Sequence, residues 1–348
     1  MKKVNVGIIG FGFMGTTHFG IHQANPKAKV IAVADINPVK LTGDISAVVG
    51  NIGTRDSDQL DLSGIETYED AYDLINNPDV DLVDICVPTF LHKQFALAAI
   101  KAGKHVFLEK PFSRNLDEVE EIAAAARASD KHFNVGMCVR AWPEYFDAQS
   151  RFKAGEFGVL KSANFRRLSP SVDGNSWENW FMVHARSGGA ILDLHMHDID
   201  LVRFFFGKPR AVTAFGLRGF RSDDGIDHVL ARYDFGDGTL VSAEGGWAGA
   251  KNAPFEMGFE ITCEKATLRL MCGDYKIYWE NGKIESPEVS DAVLPTGWHQ
   301  ELTYFVDCIL DGTKPEKYQT LDELVDSFKM YEAEVASIKT EKTVMINY

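Results

Sequence analysis

The sequence predicts a two-domain α/β protein: a doubly wound parallel sheet, followed by an α+β domain with a large, mostly antiparallel sheet. Three observations lead to this prediction. The chain has 348 residues, more than one ordinary hydrophobic core accommodates. Its first part alternates short apolar runs with helical patterns, and its second part places alternating runs between turn signals. We place the boundary between residues 1–138 and residues 139–348.

The parallel sheet is predicted from short runs rich in valine and isoleucine. They are apolar on both faces, as strands covered by helices on both sides must be. The runs are Val4–Ile9, Val30–Ala34, Leu82–Val87, His105–Leu108 and Phe133–Met137. Helical patterns lie between them at Phe95–Ala102 and Leu116–Ala128, and Asn115 is the expected N-cap of the latter. The glycine- and aspartate-rich stretch 42–63 fits this scheme least well and is predicted to be a long connection.

The second domain is predicted from alternating or apolar runs joined by turn signals. Gly236-Asp237-Gly238 between two of the runs is typical of a hairpin turn. A final helix, Leu321–Ile338, and a short strand, Thr343–Ile346, complete the prediction. The runs are Leu160–Arg167, Ala211–Gly216, Val229–Phe235, Thr239–Glu244, Phe255–Thr262, Thr267–Met271 and Lys276–Trp279.

Composition excludes several classes of partner. The formal charge of −14 argues against a nucleic-acid or anionic-membrane surface, since both need clustered Lys and Arg. No run approaches the roughly 18 apolar residues that span a bilayer. The five cysteines are scattered without a CxxC pair, which is typical of reduced thiols in a cytoplasmic protein.

A glycine-rich motif follows the first predicted strand. Gly10 permits a tight turn, Gly12 lets a pyrophosphate approach the backbone, and Gly15 allows close packing of helix on strand. The N-terminus of the following helix offers free N–H groups and a partial positive charge to phosphates. The alternative is a glycine-rich turn that binds nothing. The full motif is Gly10, Phe11, Gly12, Phe13, Met14 and Gly15.

Asp35 ends the second predicted strand, roughly 20 residues after the last glycine of the motif. A carboxylate at this point accepts hydrogen bonds from the adenosine ribose and repels a 2′-phosphate. Neither Ile36 nor Asn37 supplies a cation for such a phosphate. The sequence therefore predicts NAD rather than NADP as the cofactor, unless Asp35 is an ordinary strand-end residue.

Two later segments complete a family resemblance. Leu108-Glu109-Lys110-Pro111 follows the fourth predicted strand, and residues 188–200 read Gly-Gly-Ala-Ile-Leu-Asp-Leu-His-Met-His-Asp-Ile-Asp. Together with the glycine motif, they resemble the Gfo/Idh/MocA oxidoreductases, a family that includes glucose-fructose oxidoreductase and inositol dehydrogenase. The resemblance extends through nearly the whole chain.

The resemblance implies a set of site residues. Lys110 is expected to contact both the nicotinamide ribose and the substrate. Asp193 and His197 match the family's D-x-x-x-H pair, with His197 as acid/base. The resemblance also implies that the cofactor is bordered by Pro88, Thr89, His92 and Glu109, and the substrate by Arg140, Trp180 and His195. Many family members carry a small or apolar residue in place of His195, so its share in the substrate contact stays open.

The chemistry of these residue types agrees with the implied roles. On a helix beginning near Leu192, Asp193 and His197 share one face, and the carboxylate orients the imidazole and raises its pKa. His197 then takes a hydroxyl proton while the carbon delivers a hydride to nicotinamide. The Lys110 ammonium stabilises the developing alkoxide. We therefore expect an NAD-dependent oxidoreductase acting on a sugar, a sugar derivative or a cyclitol.

Two alternative functions keep the NAD site. One is a glycoside hydrolase or lyase that oxidises its substrate transiently and then returns the hydride. The other is a non-catalytic NAD-binding sensor, against which the intact Lys110, Asp193 and His197 count.

Three further expectations concern metal, structural residues and assembly. No metal is predicted, because His195 and His197 on a continuous helix point about 200° apart. Asp198 and Asp200 are expected to serve packing and hydrogen bonding rather than catalysis. An open sheet face is commonly buried against a second subunit, so we expect a homodimer or homotetramer.

Overall fold

The computed structural model describes residues 2–50, 57–289 and 293–348. The chain forms two compact units, one made of Met1–Cys138 with Trp298–Leu321, the other of Val139–Gly297 with Asp322–Tyr348. The first unit therefore also contains Trp298–Leu321, which the predicted division at residue 138 had placed in the second domain. Residues 51–56 of the predicted long connection lie outside the described residues.

The elements are numbered in chain order. The strands are β1 (Val4–Ile9), β2 (Ala28–Ala34), β3 (Glu66–Tyr68), β4 (Leu82–Ile85), β5 (His105–Glu109), β6 (Phe133–Gly136), β7 (Leu160–Pro170), β8 (Ala211–Arg218), β9 (Ile226–Asp234), β10 (Leu240–Gly249), β11 (Glu256–Cys263), β12 (Ala266–Met271), β13 (Asp274–Trp279), β14 (Ile284–Glu285) and β15 (Val344–Met345). The helices are α1 (Phe13–Ala24), α2 (Ala71–Asn76), α3 (His92–Lys101), α4 (Leu116–Ala128), α5 (Pro143–Lys153), α6 (His184–Ser187), α7 (Ala190–Asp193), α8 (Met196–Phe206), α9 (Gly297–Asp311) and α10 (Leu321–Thr340).

The first unit contains a parallel sheet in the order β3-β2-β1-β4-β5-β6. This order has a switch point between β1 and β4, from which the chain winds outward in both directions. The five predicted strands are all present, and the short edge strand β3 was not predicted. Asn115 caps α4 as expected, because its side chain accepts from the Glu118 amide at 3.0 Å.

Helix α9 belongs to the core of the first unit, although it follows the second unit in sequence. Its buried side chains Leu302, Phe305 and Val306 pack into the cluster that contains the β-strand valines and Phe107. The rings of Phe305 and Phe107 meet edge to face, with centroids 5.5 Å apart. Helix α9 was not predicted, although the helical spacing of these three apolar residues indicates it.

The second unit contains a nine-stranded sheet in the order β14-β13-β12-β11-β7-β10-β9-β8-β15. Neighbouring strands are antiparallel except β7 and β10, so the predicted fold class is confirmed. One face is covered: Phe165 and Phe259 pack there against Phe205 of α8. Leu230 of β9 and Leu240 of β10 are 51% and 60% exposed. A second subunit would bury such apolar side chains, and a homo-oligomer stays a prediction.

Other expectations concern the thiols and the membrane. All five cysteines lie in the described part of the chain and are free, and only Cys272 is classed as exposed. Within residues 2–50, 57–289 and 293–348, the helices fall short of the length and apolar character that crossing a bilayer requires.

Candidate active site

The glycine motif forms a tight cradle between β1 and α1. Gly10 has a φ of +88°, and a Cβ atom there would lie 2.6 Å from the carbonyl oxygen of Cys86. A Cβ on Gly15 would lie 1.9 Å from the carbonyl oxygen of Gly10. Among the described residues, nothing lies within 4 Å of a Cβ at Gly12, and no side chain caps the helix that starts at Phe13. The backbone is thus open to a ligand at Gly12, beside uncapped amides that suit a pyrophosphate.

Asp35 supports this cradle directly. Its carboxylate accepts a hydrogen bond from the Phe11 amide at 2.7 Å and another from the Asn37 amide at 2.8 Å. The Lys40 ammonium lies 3.0 Å from the same carboxylate. Ile36 and Asn37 supply no cation, as predicted, but Lys40 does, and its contact with Asp35 was not predicted.

His92 braces the segments that follow β4 and β5. It is buried, with Nδ1 2.8 Å from the carbonyl oxygen of Pro111 and Nε2 3.0 Å from that of Val87. A neutral imidazole carries one N–H, so it donates to one carbonyl at a time. Burial lowers the pKa of His92 and keeps the ring neutral. Pro88 and Thr89 form the turn before α3; cofactor contact by these three residues stays a prediction.

Glu109 is the last residue of β5 and Lys110 follows it, and the two side chains differ in burial. The Glu109 carboxylate is buried, accepts from the Lys110 amide at 3.0 Å and lies 3.1 Å from Nε2 of His18. Lys110 is half-buried and precedes a cis peptide bond to Pro111. Glu109 therefore supports the turn that carries Lys110, and its predicted cofactor contact stays a prediction.

In the second unit, Asp193 and His197 lie on two short helices rather than one. Helix α7 ends at Asp193 and α8 begins at Met196. The His195 amide donates to the Ala190 carbonyl at 2.9 Å, a wider turn than that of an α-helix. The prediction of a continuous helix from Leu192 was wrong, because the chain changes its hydrogen-bond pattern at this point.

His195 is enclosed in the second unit. Its side chain is fully buried, with Nε2 3.3 Å from Glu334 and Nδ1 4.0 Å from Asp198. Burial disfavours the charged imidazole, but Glu334 and Asp198 outweigh it and raise the pKa of His195. The His195 side chain thus has no exposed surface, and its share in the substrate contact stays a prediction.

The two aspartates after His197 each pair with a buried arginine. Arg167 lies 3.1 Å from Asp198. Arg140 donates two hydrogen bonds of 2.6 Å to the Asp200 carboxylate and a third of 3.1 Å to Glu323. This confirms that Asp198 and Asp200 serve packing and hydrogen bonding. The Arg140 guanidinium is fully buried, and its predicted substrate contact stays untested.

Trp180 belongs to a small aromatic group. Its ring lies 4.3 Å from that of Phe181, and Phe181 in turn contacts the buried Trp247. The Trp247 indole donates to Asp227 at 2.7 Å and so fixes the group. Trp180 keeps part of its surface accessible, and Trp177 is 47% exposed. Substrate stacking on Trp180 stays a prediction.

The predicted residues thus fall into two sets. The glycine cradle, Asp35, His92 and Lys110 follow the carboxyl ends of β1, β2, β4 and β5, which meet at one edge of the parallel sheet. Asp193, His195 and His197 lie on successive turns in the second unit.

Comparison with known proteins identifies the family. Residues 4–137 match the profile described as the oxidoreductase family with an NAD-binding Rossmann fold, and residues 145–269 match the GFO/IDH/MocA C-terminal domain. The chain belongs to this family of oxidoreductases.

Individual relatives are more distant. The uncharacterised oxidoreductase YrbE of Bacillus subtilis is 31% identical over 60% of this chain, and the match spans 55% of its own length. The scyllo-inositol 2-dehydrogenase (NAD(+)) of Bacillus subtilis is 26% identical over 90% of this chain and 88% of its own. A levoglucosan dehydrogenase solved with NADH and levoglucosan is 22% identical, covers both chains fully and has a TM-score of 0.84. That structural likeness shows a shared fold.

Substituting alanine for Gly15 is expected to weaken NADH binding by about tenfold or more, or ~1.4 kcal/mol. The reason is the added methyl group, which would lie 1.9 Å from the Gly10 carbonyl oxygen and push α1 away from the cradle. The measurement is titration of the purified variant with NADH, followed by nucleotide fluorescence.

Gly20→Ala is the matched control, since Gly20 lies on the same helix and a Cβ there meets nothing within 4 Å. It should bind NADH as the unmodified chain does, and alanine is the better helix former by about 1 kcal/mol. Equal NADH affinity in both variants would contradict the role given to Gly15.

Proposed function

We propose that the chain is an NAD-dependent dehydrogenase or reductase that acts on a ring hydroxyl of a sugar, a sugar derivative or a cyclitol. The observation that carries the proposal is the open cradle at Gly12, supported by Asp35, in a chain of this oxidoreductase family. Relatives named for scyllo-inositol and levoglucosan support a cyclic polyol as the substrate class.

The cofactor would be held by residues of the first unit. The first-turn amides of α1 would bind the pyrophosphate beside Gly12, where the backbone is open. The Asp35 carboxylate has its Oδ2 on Phe11 and Lys40, and its Oδ1 on Asn37. An adenosine ribose hydroxyl would donate to Oδ1, because Oδ2 already accepts from two donors and a carboxylate oxygen has about two lone-pair sites. When bound, the nicotinamide ring supplies a hydride acceptor.

The proposal divides the work on the substrate between Lys110 and His197. Oxidation of a carbinol carbon requires that the hydroxyl proton leave as the hydride leaves carbon. His197 takes that proton, and the Lys110 ammonium stabilises the oxygen as negative charge develops on it. Asp193, at the end of α7, orients His197. His195, with Glu334 at 3.3 Å, supports the turn that presents His197.

A screen of inositols, cyclic sugars and anhydrosugars with NAD should show one class of substrate that produces NADH. His197→Ala and Lys110→Ala should each lower kcat by about 10²–10⁴-fold, because each removes a proton acceptor or a charge from the reacting hydroxyl. The measurement is steady-state NADH formation followed by absorbance.

His228→Ala and Lys101→Ala serve as matched controls, since both lie outside the proposed machinery, on β9 and at the end of α3. They should retain activity. Full turnover in His197→Ala would refute its assignment. Glycoside cleavage without net NADH would replace the dehydrogenase with the transient-oxidation alternative.

Cofactor preference should respond to Asp35 and Lys40 together. In Asp35→Asn, the amide oxygen still accepts from the Phe11 amide, while the Asn37 amide loses its acceptor. The negative charge that repels a 2′-phosphate is gone, and Lys40 loses its ion-pair partner. The ratio of kcat/KM for NADP to that for NAD should rise about tenfold or more, because like charges in contact cost several kcal/mol.

The double variant Asp35→Asn with Lys40→Ala should lose most of that gain, since the cation that binds the added phosphate is removed. If the ratio does not change in Asp35→Asn, or if Lys40 makes no difference to it, then these two side chains do not set the preference.

A further inference from the structure

A cluster of buried, titratable side chains lies in the first unit, directly beneath the glycine cradle. It takes no part in the proposed reaction. His18 and His22 come from α1, Asp84 from β4, and Cys86 from the residues just after β4. Glu109 and Glu301 border it from β5 and α9. A hydrophobic core normally contains few such groups, because each charged form is costly to bury.

Three of these residues, His18, Asp84 and Cys86, each bring one possible ligand atom within 4.8 Å of the other two. Nδ1 of His18 lies 2.9 Å from Oδ2 and 3.1 Å from Oδ1 of Asp84, and 3.4 Å from Sγ of Cys86. Sγ of Cys86 lies 3.5 Å from that same Oδ1 of Asp84. Tetrahedral zinc, with bonds of about 2.0–2.3 Å, holds its ligand atoms about 3.3–3.6 Å apart. The triangle therefore already has nearly the dimensions of one face of a zinc site.

The atoms around this triangle are arranged as outer-shell partners. Metal-bound imidazoles commonly donate their second N–H to a carboxylate, which fixes the ring. Here Nε2 of His18 lies 3.1 Å from Glu109. The second carboxylate oxygen of Asp84 is likewise held, by Nε2 of His22 at 3.1 Å. Both of these partners are buried.

Glu301 adds an unpartnered polar atom at the border of the cluster. It is 3% exposed, and its Oε1 has no hydrogen-bond partner among the described residues. A carboxyl oxygen this deeply buried is costly unless a proton or a cation satisfies it.

We propose that His18, Asp84 and Cys86 bind a transition-metal ion, with an enclosed water molecule as the fourth ligand and Zn²⁺ as the best match to one nitrogen, one oxygen and one sulfur ligand. On binding, the metal displaces the thiol proton of Cys86 and any proton on Nδ1 of His18, so the metal-free cluster holds protons in its place. Because His18 and Asp84 are fully buried, the ion has no access to substrate. It acts as a clamp.

The clamp joins the elements that form the cofactor cradle. His18 lies on α1, one turn after Gly15, and a Cβ on Gly15 would lie 3.5 Å from Cβ of Cys86. The Cys86 carbonyl lies against Gly10. A metal bond between α1 and the end of β4 therefore restrains the glycine motif on both sides. Loss of the ion should lower thermal stability as well as NADH affinity.

The test is metal analysis of tag-free protein by inductively coupled plasma mass spectrometry, as purified and after refolding with Zn²⁺. The proposal predicts about one ion per chain that survives dialysis, as structural zinc does. Refolding with Co²⁺ should give the near-ultraviolet absorption of a thiolate-bound cobalt ion, measured without nucleotide. Removing the metal with a chelator should lower the melting temperature, and Zn²⁺ should restore it.

Cys86→Ser and His18→Asn should lose the bound metal and the cobalt–thiolate absorption. Cys272→Ser is the matched thiol control and should keep both, because Cys272 is exposed and distant in sequence from the cluster. Less than about a tenth of an ion per chain in unmodified protein, purified and refolded, overturns the proposal and leaves a proton-filled hydrogen-bond network. So does metal that stays in Cys86→Ser and is lost in Cys272→Ser. None of these readouts depends on enzymatic activity.

Discussion

Backbone meets backbone where β1 turns into α1, and the rest of the first unit depends on that contact. Gly10 turns with a positive φ against the Cys86 carbonyl, and Gly15 lies against the Gly10 carbonyl, with no room for a side chain at either position. The contact brings the start of α1 to the ends of β1 and β4. It also aims the uncapped amides of α1 outward at Gly12 and carries His18 inward toward Asp84.

The same contact explains why an open cradle and a buried polar cluster lie so close together. A helix that packs this tightly on its sheet turns its first residues toward solvent and its next turn into the core. His18 and His22, one turn apart on α1, therefore share a face, and Asp84 and Cys86 share a face because they are two residues apart along β4 and its continuation. In the second unit, Arg167 and Arg140 offset the buried charges of Asp198 and Asp200 in a similar way.

Much of the fold could be predicted because local pattern and final structure agree. Strand β1 and helix α4 have the predicted bounds, and the glycine motif lies where a strand ends and a helix begins. Helix α9 was missed because the chain returns to the first unit after crossing the second, and linear order does not show that return. The interruption between α7 and α8 was missed because hydrogen bonding within the buried segment, rather than local preference, decides it.

The residue types of the candidate site could be predicted from the sequence, but many of the contacts between its side chains could not. Lys40 was not predicted because a short turn folds it back on Asp35. The contact of His195 with Glu334 was not predicted because the two residues lie far apart in the sequence. The buried cluster was not predicted because its members come from separate elements; His18 and Asp84 are 66 residues apart in the sequence. The paired spacings His18–His22 and Asp84–Cys86 were the available signal.

We propose direct hydride transfer from a substrate carbinol carbon to NAD. It is tested most directly by a substrate deuterated at that carbon, with mass spectrometry of the cofactor after turnover. We expect one deuterium atom in the reduced nicotinamide for each molecule of substrate oxidised. Deuterium that appears in water or remains in a cleaved product, with unlabelled cofactor, would contradict it.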